Sequence, residues 1–191
     1  MRSAALSTII AATSLTAVAC SSTHTGPPSP VSSQATSSSA GPSSTAAATG
    51  KLTGLNACTL LADNETQQIA SGAGAHLDEG ELGGAGTSKC QWSKSEIGGR
   101  GGVTFSVVVR PAQSINDVVV KSSGRLSNTT STGGRAVALV KGNEGEGSCL
   151  AAVAVGSGRI DINAVTNHGT NEQMCSVVSK IDDFVEPRLP S

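Results

Sequence analysis

Only one long stretch of the chain repeats its apolar positions at three- and four-residue spacing. In TNEQMCSVVSKIDDFVEPRLP, residues Met174, Val177, Val178, Ile181, Phe184 and Val185 fall on one helical face. Thr170 is the expected N-cap. Glu172 in the first turn suits the helix dipole, and Pro187 closes the element. Upstream the period changes to two. In GGVTFSVVVRP, Val103, Phe105, Val107 and Val109 lie on one side and Thr104, Ser106 and Arg110 on the other; Val108 interrupts the alternation and Pro111 ends it. KCQWS reads as the preceding strand, across a glycine-rich turn over Gly98–Gly102. SCLAAVAV and GRIDINAVTN make the clearest hairpin, with Gly156 and Gly158 bracketing Ser157 at the reversal. Ile160, Ile162 and Ala164 alternate with Asp161 and Asn163. GGRAVALVK adds a short strand.

Three segments read less regularly. ACTLLADNETQQIASG predicts a short helix capped by Asp63, with Glu65 in its first turn, Leu60, Leu61, Ile69 and Ala70 on its apolar face, and Gly72 and Gly74 stopping it. AHLDEGELGGAG reads as an exposed loop. SINDVVVKSSG reads as a short helix capped by Ser114, although the β-branched Val118–Val120 run opposes helix. The expected class is α+β: an antiparallel sheet with the long C-terminal helix on one face and a short N-terminal helix.

Charge divides the chain. All 14 Asp and Glu and 12 of the 13 Lys and Arg follow residue 50; Arg2 alone precedes it. This places a boundary near Lys51 and leaves a globular unit over 51–191, long enough for one core. A net charge of −1 gives no electrostatic footprint for nucleic acid. MRSAALSTIIAATSLTAVAC has one basic residue, an apolar run and small residues before Cys20, the grammar of a cleaved leader over 1–19. It is too short and too rich in Ser and Thr for a spanning helix. Ending at cysteine, LTAVAC resembles a bacterial lipobox, in which diacylglycerol joins the thiol; the expected membrane attachment is therefore lipid on Cys20, on the extracytoplasmic face. Ala17 departs from the commonest Leu. The rest of 20–50 is almost all Ser, Thr, Ala, Gly and Pro, a composition that stays disordered and spans roughly 30 Å as a coil.

Four cysteines remain: Cys58, Cys90, Cys149 and Cys175. An exported domain with an even count suggests two disulfides, and order along the chain favours Cys58–Cys90 and Cys149–Cys175 among three pairings. No C-x-x-C pair is present and no histidine sits at ligand spacing in sequence from a cysteine, so neither metal nor cofactor is expected.

ACTLL, CQW some thirty residues later, GGRAVALV and a terminal amphipathic helix, all behind a lipobox and tether, form a recognisable series. Over residues 55–187 the chain is similar to a family of actinobacterial, notably mycobacterial, secreted lipoproteins known only as a domain of unknown function. Ala62-Asp63-Asn64 stands where Thr-Pro-Glu is usual, and GGRAV where Gly-Asp-Glu-Ala is usual. The resemblance implies no catalytic residues.

The residues themselves give little chemistry. His76 and His168 lie in loop-like segments, and no G-x-S-x-G elbow surrounds a serine. Glu79 with Glu81, and Asp182 with Asp183, are candidate carboxylate pairs, though neighbours on a helix point apart. Glu144 and Glu146 in NEGEG lack the ligand count of a calcium loop. The expected function is a non-enzymatic binding or interaction module, with an envelope protein or an apolar ligand as partner. Its rivals are a carrier holding an apolar or lipid ligand between sheet and helix, and an envelope hydrolase using His168.

Overall fold

The structure, a computed structural model, describes residues 50–96, 98 and 101–191. The expected leader, Cys20 and the tether up to residue 49 lie outside the described residues. Seven strands form one sheet: β1 Leu77–Gly80, β2 Ser88–Lys94, β3 Val103–Arg110, β4 Arg125–Thr130, β5 Ala136–Lys141, β6 Ser148–Val155 and β7 Gly158–Val165. The helices are α1 Asp63–Ile69 and α2 Asn171–Val185. The strand order is β1-β2-β3-β7-β6-β5-β4, with every pairing antiparallel. The α+β arrangement read from the sequence is the one observed.

Register explains the core. Cys90 and Trp92 lie opposite Val107 and Phe105, which lie opposite Ile162 and Ala164; these in turn face Ala151 and Cys149. Because alternate residues share a face, these rows form one apolar surface, and α2 packs on its β6 and β7 portion. Trp92 stacks on Phe105 with ring centroids 5.8 Å apart. Met174, Val178, Ile181 and Val185 are the buried positions of α2, while Val177 and Phe184 flank them. Thr170 caps the helix by accepting the N–H of Gln173. The chain continues as a 3-10 turn over Glu186–Arg188, so Pro187 sits just beyond α2 rather than ending it.

The β6–β7 hairpin has a two-residue loop, Gly156-Ser157, between the paired Val155 and Gly158. Gly156 has φ of 60°, the left-handed value needed at the first central position of such a turn.

Several expectations are corrected. The N-cap of α1 is Ala62, not Asp63; the helix start is held by Glu65, whose carboxylate accepts the Ala62 N–H at 2.8 Å. Asp63 lies one residue inside and is used elsewhere. Part of the expected AHLDEGELGGAG loop is β1, paired to β2 with a bulge between Asp78 and Gly80; its short, acidic, exposed sequence gave no alternation to read. SINDVVVKSSG forms only a 3-10 turn, Ile115–Asp117, capped by Ser114, because the valine run after it stays extended. RLSNTT, unassigned from the sequence, is β4. All six of its residues are exposed, so no apolar period marks it.

The second sheet face carries buried Val108, Ala138, Val140 and Ala152. It is partly covered by the β3–β4 crossover, whose 3-10 turn packs on β5 and β6. No helix among the described residues is long and apolar enough to cross a membrane.

Candidate functional site

The cysteines pair as Cys58–Cys90 and Cys149–Cys175, with S–S distances of 2.09 and 2.03 Å. The first bond ties the turn before α1 to β2; the second ties β6 to α2. Sequence spacing had kept histidine away from cysteine, but the fold does not. A ring nitrogen of His76 and the Cys58 and Cys90 sulfurs lie within 4.8 Å of one another. Bonded to each other, those sulfurs are not the thiolates a metal requires. His76 is held instead by Asp63. Oδ1 of Asp63 accepts from Trp92 Nε1 at 2.8 Å and lies 3.0 Å from His76 Nδ1. The Trp92 hydrogen bond, then that of His76, keeps the Asp63 pKa below its ordinary value.

The other sequence candidates are scattered. His168 Nε2 lies 3.7 Å from Glu96 Oε1, with both side chains well exposed. Among the described residues, neither His76 nor His168 hydrogen-bonds to a hydroxyl or thiol through its ring. Glu79 pairs with Lys89 at 2.8 Å, tying β1 to β2, while Glu81 accepts the Gly86 N–H within the loop that joins them. Glu144 pairs with Lys121, and Glu146 accepts the Asn171 backbone and side-chain N–H groups, both at 3.1 Å, at the first residue of α2.

On the helix-free face, β3 and β7 bring Arg110, Arg159 and Asp161 together. Asp161 accepts from Arg110 Nε at 2.5 Å and from Arg159 Nε at 2.7 Å. Arg159 also donates to the Ser114 carbonyl at 2.6 Å, and Arg110 to Gln113 at 3.2 Å. These charges latch the crossover onto the sheet; their partners are internal.

One groove is built differently. The sheet extends past α2, because the helix covers β6 and β7 while β4 lies beyond it. The resulting 220 Å³ hollow has a floor of Val137, Leu139 and Ala151, hydroxyl groups from Thr129 to Thr132 along one rim, and Val178, Ser179 and Asp182 of α2 as its wall. Asp182 Oδ1 is buried without a hydrogen-bond partner, the one such side-chain atom among the described residues. An unsatisfied buried oxygen is costly and requires a physical account. Burial raises the Asp182 pKa to about 6, assisted by the negative charges of Glu186 and Asp183 and opposed by Arg135.

Asp183 and Glu186 hold the β4–β5 turn at the same corner. Asp183 accepts from Thr132 at 3.3 Å; Glu186 accepts the Gly133 N–H at 2.7 Å and the Ser131 hydroxyl. A Cβ at Gly133 would approach the Glu186 carboxylate to 2.6 Å, so a larger residue here would force that carboxylate to move. The Asp182–Asp183 pair was visible in the sequence, but its groove was not. The groove needs β4, which carries no apolar pattern.

β4 also ends the sheet. The Ser131 N–H bonds to the Arg135 carbonyl at 2.9 Å, so by ladder alternation Leu126, Asn128 and Thr130 turn their N–H and C=O groups away from β5. An edge usually carries a bulge, proline or inward charge. β1 has a bulge and two acids, but β4 pairs with β5 through six consecutive residues without interruption.

No curated protein and no solved structure matches the chain. The model of the family described as protein of unknown function (DUF3558) matches residues 15–188, and the chain belongs to that family.

Proposed function

We propose that this chain is a lipid-anchored, non-catalytic interaction module of the actinobacterial lipoprotein type. It is held outside the cytoplasmic membrane by diacylglycerol on Cys20 and docks an extended segment of a partner on β4, beside the α2 groove. The observation that carries the docking is the edge of β4, unpaired beyond β5 among the described residues, beside the groove walled by Val178, Ser179 and Asp182. Strand addition to such an edge supplies affinity through main-chain hydrogen bonds and specificity through alternate side chains. The anchor rests on LTAVAC, which falls inside the family match beginning at residue 15.

The carrier alternative needs room under α2. Val153, Ile160, Ile162, Val178 and Ile181 fill that space at no more than 2% exposure. The groove, at 220 Å³, is smaller than the roughly 300–1,000 Å³ of small-molecule sites. A hydrolase would need a nucleophile at His168, whose ring neighbour is Glu96.

The test is photo-cross-linking in cells, with a photoreactive residue at Asn128 and a control at Lys180 on the exposed side of α2. Adducts formed at Asn128 and not at Lys180 support docking on β4. Equal labelling, or none, overturns it.

A further inference from the structure

We infer that the segment docked on β4 is the β4 of a second copy of this chain, paired antiparallel about a two-fold axis through Ser127; this rests on the docking reading above. Strand geometry restricts the pairing. A two-fold axis perpendicular to the sheet keeps each side chain on its own face. Residues on the two strands then pair only with same-face residues, and the outward-turned Leu126, Asn128 and Thr130 must make the hydrogen bonds. An axis at Ser127 meets both conditions. Leu126 exchanges bonds with Asn128 of the second copy, Ser127 faces Ser127, and Arg125 faces Thr129.

Charge selects this register. Arg125 has no ion pair or side-chain hydrogen bond among the described residues and shares the helix face of the sheet with Ser127 and Thr129. Thr129 lines the groove walled by Asp182, and Asp183 lies next along α2. The corner carries Asp182, Asp183 and Glu186 against one cation, Arg135, whose guanidinium also donates to the Pro190 carbonyl at 2.9 Å. The Arg125 opposite Thr129 brings the missing positive charge to that corner, twice per dimer.

Leu126, 51% exposed on the opposite face, becomes the diagonal neighbour of its own mate, within reach of side-chain contact. The bulged, acidic β1 at the far edge stops further addition, so the interface closes as a dimer and does not extend into a fibre. Anchoring both copies in one membrane raises their effective concentration, so modest affinity in solution suffices.

The experiment uses the Cys20→Ser chain, which lacks the anchor but leaves the sheet untouched, in sedimentation velocity over a wide concentration range. A concentration-dependent dimer is expected, weakened roughly tenfold by Arg125→Glu, which places like charges together. Adding Ser127→Cys then gives a covalent dimer under mild oxidation, because directly opposed residues in a non-hydrogen-bonded pair are about 4.5 Å apart at Cα, within disulfide range. Lys180→Cys, on α2, is the background control. A monomer at every concentration, with Ser127→Cys no faster than Lys180→Cys, overturns the inference. So does Asn128→Cys cross-linking faster than Ser127→Cys, which would move the axis. Should cells still yield β4 adducts to a different protein, the docking reading survives and self-pairing alone fails.

Discussion

The carboxylate of Asp63 accepts the indole N–H of Trp92 at 2.8 Å, joining the first residue of α1 to the centre of β2. Asp63 also fixes His76, so one oxygen holds the approach to β1, the start of α1 and the largest core side chain in register. Asp63→Ala leaves the indole donor of a residue only 1% exposed without a partner, at a cost of about 1–3 kcal/mol. Urea unfolding followed by Trp92 fluorescence measures this, and an unchanged midpoint contradicts it.

Asp161→Ala has the larger predicted cost. Arg159, 5% exposed, loses both of its carboxylate contacts and keeps its charge. Removing one partner of a buried ion pair costs about 3–5 kcal/mol. The crossover should loosen with it, since Arg159 and Arg110 reach Ser114 and Gln113 from the same cluster. Hydrogen exchange over residues 111–124 should quicken more than exchange in α2.

Asp182 predicts an unusual pH dependence. Its folded-state pKa of about 6 stands above the ordinary 3.8, so between those values the folded chain holds a proton that the unfolded chain has released. Stability therefore falls as pH rises through this window, and the full penalty is present above it. With the side chain only partly buried, solvent screening brings the penalty to about 1–2 kcal/mol. Asp182→Asn should raise the urea midpoint at pH 7 and leave it nearly unchanged near pH 4. Asp63 and Glu65 shift the other way, held down by Trp92 and by Arg188 respectively, so their contributions are lost at lower pH. A midpoint gain for Asp182→Asn over wild type that is no larger at pH 7 than near pH 4 contradicts the assignment.

The Cys149–Cys175 bond closes a 26-residue separation and clamps α2 to β6. Replacing both cysteines with alanine should cost about 3 kcal/mol in the chain-entropy model. The loss should appear in thermal unfolding, with first exposure of Met174 and Val178 beneath the helix.

Sequence legibility followed burial. β3, β7 and α2 each carry one continuous apolar face, so Phe105, Val107 and Val109, then Ile160 and Ile162, then Met174, Val178 and Ile181 show their periods plainly, although β3 and β7 also bury Ser106, Val108, Arg159 and Asp161 on the opposite face. β4 and β1 are edge strands exposed along almost their whole length, and RLSNTT and LDEG show no alternation because neither face is apolar. The groove was hidden for the same reason: it depends on β4 lying beyond α2. Asp63 looked like a cap because its type and place fit one, but Trp92, distant in sequence, claims its oxygen. Glu65 took over the helix start.

Attachment to a membrane through Cys20 is the central claim of the proposed function, and the intact mass of membrane-extracted protein tests it most directly. The expected result is a mature chain beginning at Cys20 with a diacylglycerol mass increment, and a Cys20→Ser variant that lacks the increment and is released to the medium. A wild-type chain that starts elsewhere, or that carries no lipid, would contradict it.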